Sequence, residues 1–358
     1  MKLLSRYLAR EIYASVALVF AALLMLFSFL DLIHELGEMG HGNYRLSYVL
    51  LFVLLTMPGH IYELFPVAVL IGTIVALVQM AAHSELTVFR ASGASLVQMA
   101  QALFRAGLPL VVLCLLSGEV LAPPSERLAQ ELRLKAQNAE VTVKEFRSGV
   151  WVKDEHSFVN AKNMLPDSSL LNVSIYEFND HYQLRAVTAA KHALFVENGL
   201  WQLEGVTKTR FDEQGTTVNN ADHMDWRSSI TPGLLSVLLV VPEQMSVWSL
   251  YQYTSYLRDN RQKTTRYEIA MWNKLVYPFA VLVMMFLALP FAAHHRRAGG
   301  VSAKIFAGIV LGLTFHFIGR LFANLGALNE WQPMLSATAM TWMFLLLATG
   351  MLWWTERR

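Results

Sequence analysis

Apolar and polar positions divide the chain into three parts. In the first and last parts, long apolar runs are separated by short polar interludes; in the middle part the two kinds of residue alternate. Residues 12–33 are the first run, and about 20 apolar residues suffice for a helix to cross a bilayer. Residues 45–82 are apolar for longer than one crossing needs. Pro58-Gly59 interrupts them, since proline removes a helical hydrogen bond and glycine weakens what remains. An outer piece at 45–57 and a span proper at 61–82 are expected. A third span is predicted at 97–121, and beyond Pro123-Pro124 a polar helix at 126–138, with Arg127, Glu131 and Lys135 at four-residue spacing. Spans resume at 271–293, 302–325 and 333–354.

From about 140 to 245 no run is long enough to cross. Gly149–Lys153, Leu171–Glu177, Tyr182–Val187 and Trp201–Gly205 alternate apolar with polar, and Asn179-Asp180, Glu197-Asn198-Gly199 and Glu213-Gln214-Gly215 supply turns. Such alternation predicts an antiparallel β domain, a sandwich or open barrel, and about a hundred residues can form one core. Met245–Asp259 is aromatic and amphipathic, with Val247, Leu250, Tyr251 and Leu257 near one helical face and Thr254 the one polar residue among them, a pattern suited to a membrane surface. The fold class is therefore a six-span membrane α-helical protein with an inserted all-β domain: spans one to three in 1–139, the β domain in 140–245, and an interfacial helix with spans four to six in 246–358.

Charge orients this plan. Lys2, Arg6 and Arg10 precede span one, Arg90 lies in the next loop on that side, Arg296, Arg297 and Lys304 lie in or beside the following one, and Arg357 and Arg358 end the chain. The opposite short loops carry Glu35, Glu38, Arg45 and Glu330. By the positive-inside rule both termini are cytoplasmic and the β domain is outside the membrane. The basic, apolar start resembles a signal peptide, but its apolar stretch is too long and has no small-residue cleavage site, so it reads as a retained span.

Composition narrows the classes. With 54% hydrophobic residues, the chain is too apolar for a soluble domain. A net charge of +2 without a basic, aromatic-interleaved run gives no sign of a nucleic-acid partner. Cys114 is the single cysteine, which rules out an intrachain disulfide and a cysteine-based metal site. No Walker A loop occurs, so any ATP and its magnesium ion are handled by another subunit. A lipid-modifying membrane enzyme is the competing class, but no Gly-x-Ser-x-Gly or His-Glu-x-x-His motif appears, and His294-His295 is too close-spaced for two ligands on one helix face. A periplasmic scaffold would not need six spans.

The interlude Ala82–Ser95 has helix punctuation. Ser84 is placed to cap a helix start, Glu85 sits in its first turn where the helix dipole favours negative charge, and Leu86 and Phe89 share a face. Gly93 is placed to end the helix and Ser95 to cap the next. The sequence predicts a short helix with an apolar knob, suited to docking in a partner; the plain alternative is a turn.

Five motifs carry a family resemblance: Leu4-Ser-Arg-Tyr-Leu8, Leu64-Phe-Pro-Val-Ala-Val-Leu-Ile-Gly72, Ser84-Glu-Leu-Thr-Val-Phe-Arg-Ala-Ser-Gly93, Gly118-Glu-Val-Leu-Ala-Pro123 and Arg266-Tyr-Glu-Ile-Ala-Met-Trp-Asn-Lys274. With them the chain resembles the LptF/LptG permeases, the membrane halves of the ABC transporter that extracts lipopolysaccharide from the bacterial inner membrane. The stretch from Ser249 to Leu257 running into Arg266-Tyr lies nearer the LptG branch. The resemblance implies an LptF-like permease, a dimer of an LptB-like ATPase and an LptC-like single-span protein as partners. It also implies a periplasmic β domain that is a jellyroll passing lipid onward.

Residue by residue, Glu85, Leu86 and Phe89, with Arg90 beside them, match the family's ATPase-coupling helix. A permease with no nucleotide site must take force through a rigid contact, and an apolar knob with a charge at its base supplies area and register. Span five carries His316, Arg320 and Asn324, four apart on one face. An ionisable residue inside a span is a candidate for function, here for holding lipid phosphate; the alternative is that Arg320 snorkels or pairs with Glu63 or Asp31. Lys274 and Arg133 are candidates for the same cationic rim, Arg133 at a basic position of the family. Gly308-x3-Gly312 permits close helix approach. One departure stands out. Better-studied members of the LptG branch carry lysines along the outer end of the first span, where this chain has Asp31, His34, Glu35 and Glu38. Either the cation clamp has moved to Arg320 and Lys274, or these acids meet a partner subunit or a divalent cation; the first reading is adopted.

Overall fold

The computed structural model describes residues 2–40, 42–85, 88, 96–137, 150–154, 157–164, 169–179, 181, 183–197, 199–212, 215–232, 241–293 and 301–356. Helix α1 spans Lys2–Gly37, α2 Leu46–Ala82 and α3 Leu96–Leu116. A π-helical turn, Ser117–Leu121, leads into α4 at Ala122–Ala136. After the β domain come α5 (Val247–Asp259), α6 (Thr265–Ala293), α7 (Val301–Leu328) and α8 (Pro333–Glu356). Six helical stretches among the described residues are long and apolar enough to cross a membrane: α1, α2, α3 continued through α4, α6, α7 and α8.

The second span is the centre of the bundle: 78% of its most apolar window is buried, against 11% for the first span and 17% for the fifth. Val69, Leu70, Ile74 and Leu77 of α2 pack with Leu103 and Cys114 of α3, Met284 and Leu287 of α6, Phe315 of α7 and Phe344 of α8. Small residues permit this density. A Cβ on Gly72 would stand 2.6 Å from the Val16 Cα, so α1 crosses α2 at backbone distance. Gly308 and Gly312 press in the same way on Ile74 and Val67, so the Gly-x3-Gly pair of the fifth span serves packing on the second. The outer sides of α1 and α7 expose Met25, Phe29, Leu313 and Phe317, which suits an apolar solvent.

The expected break at Pro58-Gly59 does not occur: α2 runs unbroken from Leu46 to Ala82. A proline forfeits one bond, but in apolar surroundings the remaining backbone groups have no water to turn to, and the helix is kept. Gly59 contributes space. The Glu126 carboxylate lies over it, with Oε1 2.4 Å from where a Cβ would be. The polar helix after Pro123-Pro124 forms as α4, and Glu131 meets Lys135 at 3.8 Å one turn on.

The β domain is one antiparallel sheet of β1 (Val150–Asp154), β2 (Ser157–Met164), β3 (Leu170–Phe178), β4 (Leu184–Glu197), β5 (Leu200–Asp212) and β6 (Gly215–Arg227), in sequential order. This is a meander, and none of the crossed connections of a jellyroll occurs among the described strands. One face is apolar. Val152, Val159 and Ile175 lie side by side, and Ala161, Val173 and Ala190 form the next row. Beyond a shift in β4, Trp201 is fully buried against Phe195 and Trp226, and its indole N–H donates to the Ile230 carbonyl at 2.9 Å. Helix α5 buries Leu250, Tyr253, Thr254 and Leu257, in part against Ala270 of α6. Tyr251, expected on that face, is 55% exposed and stacks on Trp248; Tyr253 takes its place.

Candidate functional site

At the end of α2 that carries Glu85, Ser84 has a φ of 62°, a left-handed residue that ends the helix rather than an extended cap. Its N–H donates to the Ala81 carbonyl, and its own carbonyl accepts from Val88 N at 3.1 Å, which begins the next turn. Glu85 leans on α1, where the Tyr7 hydroxyl donates to Oε1 at 3.3 Å. Its Oε2 is enclosed and has no partner among the described residues. Leu86, Phe89 and Arg90, with Gly93 and Ser95, lie outside the described residues.

At the other end of the bundle the acids of α1 are met within the chain. The His60 Nε2 of α2 lies 2.5 Å from Asp31 Oδ2, and Thr56 donates to the same oxygen at 3.4 Å. Arg133 of α4 holds Glu35 at 3.1 Å and Glu38 at 3.7 Å, and its guanidinium lies 5.6 Å from the Phe52 ring centroid. Glu35 is 2% exposed and also accepts from the Tyr44 hydroxyl at 2.8 Å. Burial, then the bond to Glu35, raises the Tyr44 pKa, so the hydroxyl remains a donor. The departure from family pattern at the first span thus has an internal explanation. Its acids fasten α1 to α2 and α4, and no group of three or more His, Cys, Asp or Glu side chains among the described residues is arranged to hold a metal ion.

The four cationic candidates do not gather into one rim. Arg133 is engaged as just described. Lys274 is 6% exposed, donates to the Met245 carbonyl and lies 5.6 Å from the Tyr62 ring centroid. A lysine so enclosed is a structural tie before it is a ligand for a phosphate. His316 and Arg320 stand one turn apart on α7, His316 partly buried and Arg320 exposed. No ion pair to Arg320 occurs among the described residues, and the Glu63 and Asp31 pairings considered for it are absent there. Sequence reasoning missed His60, Thr56 and Tyr44. A signal for the first two existed in their four-residue spacing on a polar strip of an otherwise apolar helix. Tyr44, ahead of α2, offered none.

Comparison with known proteins accords with this architecture. The family described as lipopolysaccharide export system permease LptF/LptG matches residues 6–357. The chain is 29% identical over 356 residues to the lipopolysaccharide export system permease protein LptG of Haemophilus influenzae, covering 99% of this chain and 98% of that protein. It is 29% identical over 351 residues to the protein of the same name from Escherichia coli K12, covering 98% and 97%.

The clamp on α1 makes a graded prediction. Glu35→Ala leaves the Arg133 guanidinium and the Tyr44 hydroxyl without their enclosed partner, and breaking a buried pair costs about 3–5 kcal/mol. Glu38→Ala removes a longer, partly exposed contact worth about 0–1 kcal/mol. Thermal unfolding of the purified protein in micelles should rank Glu35→Ala well below Glu38→Ala; equal midpoints contradict the assignment of Glu35 as the anchor.

Proposed function

The chain belongs to the LptF/LptG family of lipopolysaccharide export system permeases, and from that premise we propose that it is the LptG-type subunit of an inner-membrane ABC transporter, extracting lipopolysaccharide and passing it along its β domain toward the outer membrane. The observation that carries this reading is the match over residues 6–357 to a chain with three spans on either side of an inserted sheet. Both termini face the cytoplasm and the sheet faces the periplasm, as the basic loops favour. ATP and magnesium reside on an LptB-like ATPase dimer; an LptF-like permease completes the membrane channel and an LptC-like protein receives the lipid. The competing enzyme reading has no observation in its favour.

Coupling to the ATPase is assigned to Glu85, Leu86, Phe89 and Arg90. In support, the enclosed Oε2 of Glu85 has no partner among the described residues, and a carboxylate in that state gains from a cation brought by another subunit. Lipid phosphate is assigned first to Arg320 with His316 beside it. Lys274 and Arg133 join them only if their present contacts open.

One reconstituted system tests both assignments, with lipopolysaccharide moved per ATP hydrolysed as the readout. Cutting a docked aromatic anchor to alanine costs about 2 kcal/mol or more. Phe89→Ala should loosen the ATPase, and Glu85→Ala should lower lipid moved per ATP with assembly retained. Arg320→Ala should weaken stimulation by lipopolysaccharide about ten-fold while basal hydrolysis stays, since a charge-assisted contact is worth about 1.5–3 kcal/mol. Variants that assemble and transport like the unmodified protein would return these residues to packing and turn roles. Orientation has its own check: a reporter fused after Gly199 should read periplasmic and one after Arg358 cytoplasmic, and the reverse at either point contradicts the plan.

A further inference from the structure

We propose that Glu119 is a positioning residue for lipid transfer: from the π-helical turn of the third span it holds the first turn of α5, and α5 carries displacement of that span to the β domain. The proposal rests on the transport function given above. The π turn over Ser117–Leu121 shifts the helical register and re-aims the side chains that follow, a device frequent at functional positions. Here it aims Glu119 at α5. Both carboxylate oxygens lie 3.1 Å from the backbone nitrogen of Val247, the first helical residue of α5. Ser246, the residue before it, already accepts from Ser249 N at 3.1 Å. Glu119 meets a first-turn donor that this cap leaves over, and its negative charge suits the positive end of the helix dipole.

The grip is fixed on the bundle side. A Cβ on Gly118 would stand 2.4 Å from the Tyr62 ring, so the π turn lies flush on α2. Arg127 of α4 adds a second hold on α5, donating to Ser249 Oγ at 3.0 Å. Lys274 of α6 adds a third on the segment just before it, through the Met245 carbonyl. The other end of α5 is bound to the sheet. The Tyr256 hydroxyl donates to the Lys153 carbonyl of β1 at 2.6 Å, and Lys153 Nζ donates to the Asn260 carbonyl at 3.1 Å. Tyr256 also packs against the buried core of the sheet. Burial and the charge of Asp154 push its hydroxyl up to about 12, so it stays a donor at neutral pH. A helix of 13 residues is about 20 Å long and moves as a rod. Held by the third span at one end and by β1 at the other, α5 converts a shift of the bundle into a shift of the sheet.

The test uses the complete transporter, reconstituted in vesicles with its partner subunits and supplied with lipopolysaccharide. Glu119→Ala should leave assembly and ATP hydrolysis in place and lower lipid transferred per ATP about ten-fold, the worth of a charge-assisted bond. Glu119→Gln keeps an acceptor oxygen without the charge and should recover part of the loss. Unchanged transfer per ATP in Glu119→Ala overturns the proposal, as does an equal fall of assembly and transfer that Glu119→Gln does not relieve. A second measurement leaves the joint intact. Spin labels at Leu128 of α4 and Tyr251 of α5, both exposed, should keep a constant separation with and without nucleotide; Cys114 is buried away from the label. A separation that changes with nucleotide overturns the proposal even where Glu119→Ala fails to assemble. An unmodified transporter that moves no lipid would instead refute the transport reading, and the label distance would still judge the joint.

Discussion

A charge enclosed among apolar helices must be met inside the protein, because the bilayer interior has no water to meet it. Four charges, Glu35 and Lys274 buried and Asp31 and Glu119 partly so, organise the half of the bundle nearest the sheet, and each is met across an element boundary. Asp31 of α1 meets His60 of α2; Glu35 of α1 meets Arg133 of α4. Glu119 meets the backbone of α5, and Lys274 of α6 meets the carbonyl that precedes it. Helix α1 buries only 11% of its most apolar window; Leu8, Ile12 and Val16 set its first half in the core, Gly72 lets it cross α2 closely, and Asp31 and Glu35 fasten its far end. The packing around α2 gives the bundle its bulk; the enclosed charges give its outer half one arrangement.

That constraint also explains which parts of the protein were legible in the sequence. Apolar runs give the spans directly, because length and hydropathy are local properties. Pro58-Gly59 misleads, since the cost of a proline is local but the gain from keeping α2 continuous comes from the helices around it. Alternation finds β3 and the start of β5 but passes over β2. It misses β6, an edge strand exposed on both faces from Gly215 to His223, where only Met224 and Trp226 near its end reach the core of the sheet. On α5 the period was right and the face one step off, with Tyr253 buried in place of Tyr251.

The candidate residues divide in the same way. The punctuation that singles out Glu85 differs from the observed backbone, since Ser84 is left-handed and not an extended cap; what the structure adds is an enclosed Glu85 Oε2 with no partner among the described residues. Arg133 and Lys274 were legible as cations but not as occupied ones, because Glu35 and Met245 lie 98 and 29 positions away along the chain and no local pattern announces them. Glu119 sat in a motif that marks the family without saying what it holds. Only the π turn and the placement of α5 give that residue a task.

If the proposed function and the proposed joint at α5 both hold, work done at the end carrying Glu85 reaches the apolar face of the sheet through the third span and α5, and that face is where acyl chains should be taken up. The most direct measurement is photo-crosslinking in the working transporter, with a reactive side chain placed in turn at Asn172, Val173, Ser174 and Ile175 of β3. Val173 and Ile175 lie on the buried apolar face; Asn172 and Ser174 alternate with them. The account predicts lipopolysaccharide on Val173 and Ile175 only, and only with ATP. Labelling of all four alike, or labelling that does not depend on ATP, would contradict it.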